Sequence, residues 1–339
     1  MGLFKKEQFD PLLVAQQAFQ ALGDGELEEA EKLAAQLKRI RYSACFEIQA
    51  LVELQRDNPE AAIEVLREGV QSAPTVWRLW QLLGNTLSDL RDYDEAMTCY
   101  ETALQLEIGE EDLASLEFNR ATLLSRQERS REALEIVRRL QLMDETPAHL
   151  QWRIHALSLS TLSDLGRSEE VLEEAQELRA ILEAVDWEDD EFSHYDSLTT
   201  AWTQGGCALL RDEKSLEARE WATRALAIDR TVSGALQLLR TSDPDAPKAD
   251  RYYYVMLEGD WRDEDSEENE VEEGFFTTLE VIARSEEEAV ELALQFEEPR
   301  WETPLKVAEV EFGDECELTF VGLWAANEYH TFPKEDDGE

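Results

Sequence analysis

Across residues 77–110, apolar positions recur at helical spacing and are broken once by a short polar turn. Trp80, Leu83 and Leu87 share one stripe at i, i+3 and i+7, with Gly84 inside it. After Leu90, Arg91 and Asp92 a second stripe carries Tyr93, Ala96, Tyr100 and Ala103. The pattern predicts two helices, about 76–89 and about 93–106, crossing closely where Gly84 and Ala96 are small. The same offsets return elsewhere. Residues 199–232 carry Trp202, Gly205, Gly206 and Leu209, then Ala218, Ala222 and Ala225. Residues 11–44, 43–76, 114–147 and 152–185 keep fewer of these positions: Ala18 with Ala30, Ala50 with Ala62, Ala121 with Ala133, and Gly166 with Ala175. Six helical hairpins follow, unevenly spaced, with residues 231–240 as a closing cap helix.

The large, small and aromatic positions of residues 77–110 resemble the tetratricopeptide repeat, a helix–turn–helix of 34 residues. The resemblance extends over about residues 11–232 and implies an α-solenoid whose first helices line a concave groove for a peptide or protein. Some relatives hold a peptide C-terminus there with a clamp of Asn and basic side chains. Asn85, Asn119 and Arg153 resemble three clamp positions. Gln81 stands where a Lys is expected, and Ala156 where a Lys or Arg is expected, so the positive charge a carboxylate needs is mostly missing. The candidate groove contacts are Arg78, Gln81, Asn85, Asn119 and Arg153, with the Asn amides suited to an extended backbone.

Residues 241–250 hold two prolines and three aspartates and read as a linker between an array at 1–240 and a second module at 251–331. Beyond it the period changes. Residues 251–259 and 275–283 have strand composition, and 285–296 a helix capped by Ser285. Residues 305–312 and 316–324 are two more strands, expected as a hairpin around Gly313 and Asp314. The fold class is therefore α+β multidomain: about six hairpins plus a small ββαββ domain, with an acidic tail at 332–339. One helix covers one face of such a sheet, so the other face needs the array or a partner.

Charge sharpens this picture. The chain of 339 residues carries 77 acids against 32 Lys and Arg, a formal net charge of -45. Residues 251–339 alone hold 28 acids and 6 bases. Such a chain repels phosphate backbones and anionic lipid, so no nucleic acid and no membrane is expected, and a basic protein partner is favoured. Nine acids fall within residues 260–273; Asp263, Asp265, Glu267 and Glu268 are the expected partner contacts there. That segment fails the calcium-loop pattern, having no Gly at the sixth position after Asp263.

Cys45, Cys99, Cys207 and Cys316 show no CxxC spacing, and residues 1–10 carry no signal-like apolar run; a reducing cytoplasm is expected. His149, His155, His194 and His330 show no metalloprotease or zinc-finger spacing, and no phosphate loop or nucleophile elbow occurs. The expectation is a non-enzymatic adaptor with no catalytic residue, no metal and no cofactor. One alternative is an acidic chaperone for a basic client. Another is a ligand or catalytic pocket in the C-terminal module, lined by Tyr252, Tyr254, Trp301 and Trp324. Sequence alone names no partner, pathway or oligomeric state.

Overall fold

The computed structural model describes residues 10–143, 146–187, 192–243, 245–261, 273–301 and 303–333. It divides into two compact units, residues 1–147 and 148–339. Among the described residues the first holds eight helices in four hairpins: α1 (Pro11–Gly23) with α2 (Leu27–Arg39), α3 (Ala44–Gln55) with α4 (Pro59–Ser72), α5 (Trp77–Asp89) with α6 (Tyr93–Leu104), and α7 (Glu110–Arg126) with α8 (Ser130–Leu140). The second opens with two more, α9 (Ala148–Asp164) with α10 (Ser168–Glu183) and α11 (Tyr195–Arg211) with α12 (Ser215–Ile228).

All six hairpins turn the same way. The residue two places before each second helix has positive φ: Gly25, Asp57, Arg91, Glu128, Gly166 and Glu213, all between 57° and 73°. The following N–H then reaches back five residues, as from Asp92 to the Leu87 carbonyl (2.8 Å) and from Arg167 to the Leu162 carbonyl (3.0 Å). This left-handed C-terminal turn satisfies carbonyls that the helix end would otherwise leave orphaned. Four of the six positions are not glycine and hold the strained conformation at about 1 kcal/mol or more each.

Within a hairpin, small residues let the helices touch. A Cβ on Gly84 would lie 2.6 Å from the Tyr100 ring, and one on Gly205 would lie 2.1 Å from the Trp221 ring. Ala18, Ala50 and Ala121 are fully buried at the matching places. These contacts knit Leu37, Ile48, Leu66, Leu79, Leu83 and Tyr100 into the core of the first unit.

After α12 the second unit continues with α13 (Ser233–Thr241), then β1 (Lys248–Trp261), β2 (Glu273–Ile282), α14 (Glu286–Glu297), a 3-10 turn (Glu298–Arg300), β3 (Lys306–Phe320), β4 (Gly322–Ala326) and β5 (His330–Pro333). The antiparallel sheet has the order β3-β1-β2-β4, with β5 also on β2. The expected hairpin at Gly313 and Asp314 does not form; β3 runs straight through both. Gly313 instead lets the strand lie against β1, since a Cβ there would meet the Tyr252 and Tyr254 rings at 3.0 and 3.1 Å. Register shifts opposite Arg251 absorb the surplus residues as bulges. The chain bends at Val321, with Gly322 at φ 143°, and delivers β4 to the opposite edge of the sheet.

One sheet face carries Tyr253, Val255 and Leu257 of β1 with Phe275, Leu279 and Val281 of β2, all buried. It packs on α14, which begins at the expected Ser285 cap; the Ser285 hydroxyl accepts from the Glu288 N–H at 3.3 Å. The buried stripe of α14 is Ala289, Ala293 and Glu297, so a carboxylate occupies its third place. Glu297 is 0% exposed and bonds Arg230 at 2.7 Å, itself 8% exposed. Arg230 also donates to Thr277 Oγ1 (3.3 Å) and to the Asn327 carbonyl, and lies over the Tyr329 ring. The Tyr329 hydroxyl donates to the other Glu297 oxygen. A second arginine, Arg240 of α13, donates to the Leu323 carbonyl and lies over Trp324. Burial pushes the Arg240 pKa down. Two arginines from the end of the helical series thus fasten the sheet to it.

Gly84→Ala should destabilise the protein by about 1–3 kcal/mol, because Tyr100 cannot yield without strain. An unchanged melting temperature would refute the crossing. Glu297→Gln should cost about 3–5 kcal/mol by leaving Arg230 buried and uncompensated. Replacing both together, Arg230→Met with Glu297→Leu, should recover much of that loss in a denaturant titration.

Candidate functional site

The groove candidates sit on first helices. Arg78, Gln81 and Asn85 occupy i, i+3 and i+7 of α5 and so share a stripe. Arg78 is exposed, packs over the Trp77 ring and pairs with Asp112 of α7 at 3.6 Å. Gln81 is half-buried. Asn119 lies on α7, 34 residues after Asn85, one repeat along, and its Nδ2 donates to Asn85 Oδ1 at 3.1 Å. Tyr100 donates its hydroxyl to the same oxygen at 2.8 Å. Both lone pairs of Asn85 Oδ1 are therefore taken. Among the described residues, no bond reaches Asn85 Nδ2 or Asn119 Oδ1. The pair keeps one donor and one acceptor, the complement of a peptide's C=O and N–H.

Arg153 holds the next place in the 34-residue series, on α9 of the second unit. It is half-buried, and burial depresses its pKa. Asp263, Asp265, Glu267 and Glu268 lie outside the described residues.

Two other clusters carry charge. A cleft of about 400 Å³ in the first unit is lined by Arg120, Arg129 and Arg139 facing Glu101, Glu132 and Glu135. Its arginines are already engaged: Arg129 pairs with Glu132 of the lining at 2.7 Å, and Arg120 with Glu117 outside it at 2.8 Å. In the second unit, His155 Nδ1 lies 2.6 Å from the buried Glu174. With Glu177 they form the one group of potential metal-ligand atoms within 4.8 Å among the described residues. Its central contact is a hydrogen bond between α9 and α10.

Of the four aromatic residues expected around a C-terminal pocket, Tyr252, Tyr254 and Trp324 share one sheet face and Trp301 lies on the other. Trp301 stacks on Phe275 at 4.0 Å on the α14 side. Tyr252 and Tyr254 point the other way by strand alternation, with Trp324 beside Tyr252 at 6.4 Å. Sequence reading missed the Tyr100–Asn85–Asn119 chain, although the interval of one repeat between the two asparagines was its signal. It also missed Arg230 and Glu297, which no short-range pattern marks.

Comparison with known proteins supports this architecture. Residues 78–107 match the tetratricopeptide repeat model. Among solved structures, the chain is similar to one in the APC/C hetero-tetramer Cut9-Hcn1, with TM-score 0.54 and 10% identity over 70% of this chain and 43% of that one. It is also similar to PilW, a widely conserved type IV pilus biogenesis factor, with TM-score 0.54 and 13% identity over 68% of this chain and 98% of that one. At these identities the likeness concerns the fold. No curated protein matches the chain. No described helix is long and apolar enough to cross a membrane.

Asn85→Ala removes the shared acceptor of Tyr100 and Asn119 and should lower stability by about 1–2 kcal/mol, through the stranded hydroxyl. Tyr100→Phe, which removes the hydroxyl with its need, should cost less in the same thermal melt.

Proposed function

We propose that this protein is a non-enzymatic adaptor that holds an extended segment of a partner along α5 and α7. Tetratricopeptide arrays offer protein-binding surface without a catalytic site, which fits the general role. The observation that carries the finer reading is the Asn85–Asn119 pair. One amide donor and one amide acceptor, fixed by Tyr100, can read the backbone of a bound chain independently of its side chains. Arg78 and Gln81 extend the same stripe, and Arg153 continues the series in sequence. Without the clamp's lysines, an internal segment suits this face better than a terminal carboxylate.

The net charge of -45 favours a basic partner and disfavours nucleic acid and anionic membrane. It also sustains the second reading, a chaperone that shields a basic client before assembly. Neutralising Asp263, Asp265, Glu267 and Glu268 should then slow association at low salt with little effect on dissociation.

Affinity capture on the full chain, with Asn119→Ala beside the wild type, tests the groove. Asn119→Ala should reduce retention of the captured partner by about tenfold while the melting temperature moves little. Equal retention by both proteins would remove this face from the binding surface.

A further inference from the structure

We propose that the outer edge of β3 is a second docking surface, which takes a basic, extended protein segment as an added strand. It lies outside the helical array and stands independently of the groove reading. β3 is an edge strand, and among the described residues no strand pairs with its outer side. It is long, Lys306–Phe320, and none of its described residues is buried. Such an edge presents unpaired N–H and C=O groups, which natural sheets usually shorten or cover.

The register defines what would fit. Glu309 and Glu311 lie opposite Met256 and Tyr254, so they project on the open face of the sheet, in line with Glu280 across β1. Among the described residues neither glutamate forms an ion pair. Val307, Val310 and Phe312 lie opposite Leu257, Val255 and Tyr253 and project on the α14 face. Phe312 is 58% exposed and Val307 40% exposed. The edge from Val307 to Phe312 is thus acidic on one side and apolar on the other, with Lys306, opposite Glu258, at the end of the acidic side. An added strand of alternating basic and apolar residues would set its cations beside Glu309 and Glu311 and its apolar side chains beside Val307 and Phe312. A second copy of this chain fits poorly, because pairing two such edges sets glutamate beside glutamate.

The test uses the full-length protein and a ten-residue peptide of alternating Lys and Val. Binding is followed by titration at two salt concentrations and by amide hydrogen exchange. The expected result is salt-sensitive binding, slowed exchange within residues 306–312, and roughly tenfold weaker binding to Glu309→Gln/Glu311→Gln. The same peptide N-methylated at every backbone nitrogen keeps its charge but has no N–H to give a ladder, so it should bind at least tenfold more weakly. Equal binding of the N-methylated peptide would overturn the proposal, since charge alone would then account for the contact. Protection confined to the helical array, or self-association through β3 in sedimentation, would overturn it equally.

Discussion

The array depends on how closely two helices of a hairpin can approach. Gly84 against Tyr100 and Gly205 against Trp221 show the same solution twice: no side chain on one helix, a flat ring on the other. The ring fills the space that two larger residues would contest, and close packing of this kind tolerates little change in volume. The turn serves the same end. A single left-handed residue, followed by a hydrogen bond five residues back, reverses the chain in three residues and fixes where the second helix begins. With the entry point fixed, each ring meets its glycine. Asn85 is then held by the hydroxyl of the ring that the crossing positions, so Tyr100 both packs the hairpin and orients the Asn85 amide.

Much of this was legible in the sequence because it is local. Trp80, Leu83, Gly84, Leu87, Ala96 and Tyr100 lie within one repeat, and their spacing is the spacing of a helix. Even the weakest hairpin, residues 152–185, announced itself through Gly166. The left-handed residues Arg91, Glu128 and Glu213 gave no such signal, since their side chains carry no mark of positive φ. The sheet was legible as strands but not as a topology. Gly313 resembles a turn residue, yet its role is close approach to two tyrosines, which only the neighbouring strand reveals. Glu297 looked like one more surface glutamate among many. Its burial depends on Arg230, 67 residues earlier, and no periodicity links the two.

The two surfaces argued for binding rely on different physics. The asparagine pair offers neutral amides, whose value lies in geometry and falls little with salt. The β3 edge offers open backbone groups flanked by uncompensated carboxylates, so its attraction reaches further and is screened at high ionic strength. Charge can gather a basic protein from a distance, whereas the amides can only hold what has already arrived.

The order of the strands also sets a timetable for synthesis. The hairpins close over short stretches of chain and can form as they emerge. The sheet cannot, because β1 sits between β2 and β3, and β3 follows only after α14. Until it arrives, β1 is paired on one side alone, and the run from Tyr252 to Leu257 shows an apolar edge to the crowded surroundings of a nascent chain. Such edges recruit neighbours and are a common route to aggregation. Nine acids within residues 260–273 place negative charge directly after β1, and like charge opposes the approach of one unfinished sheet to another.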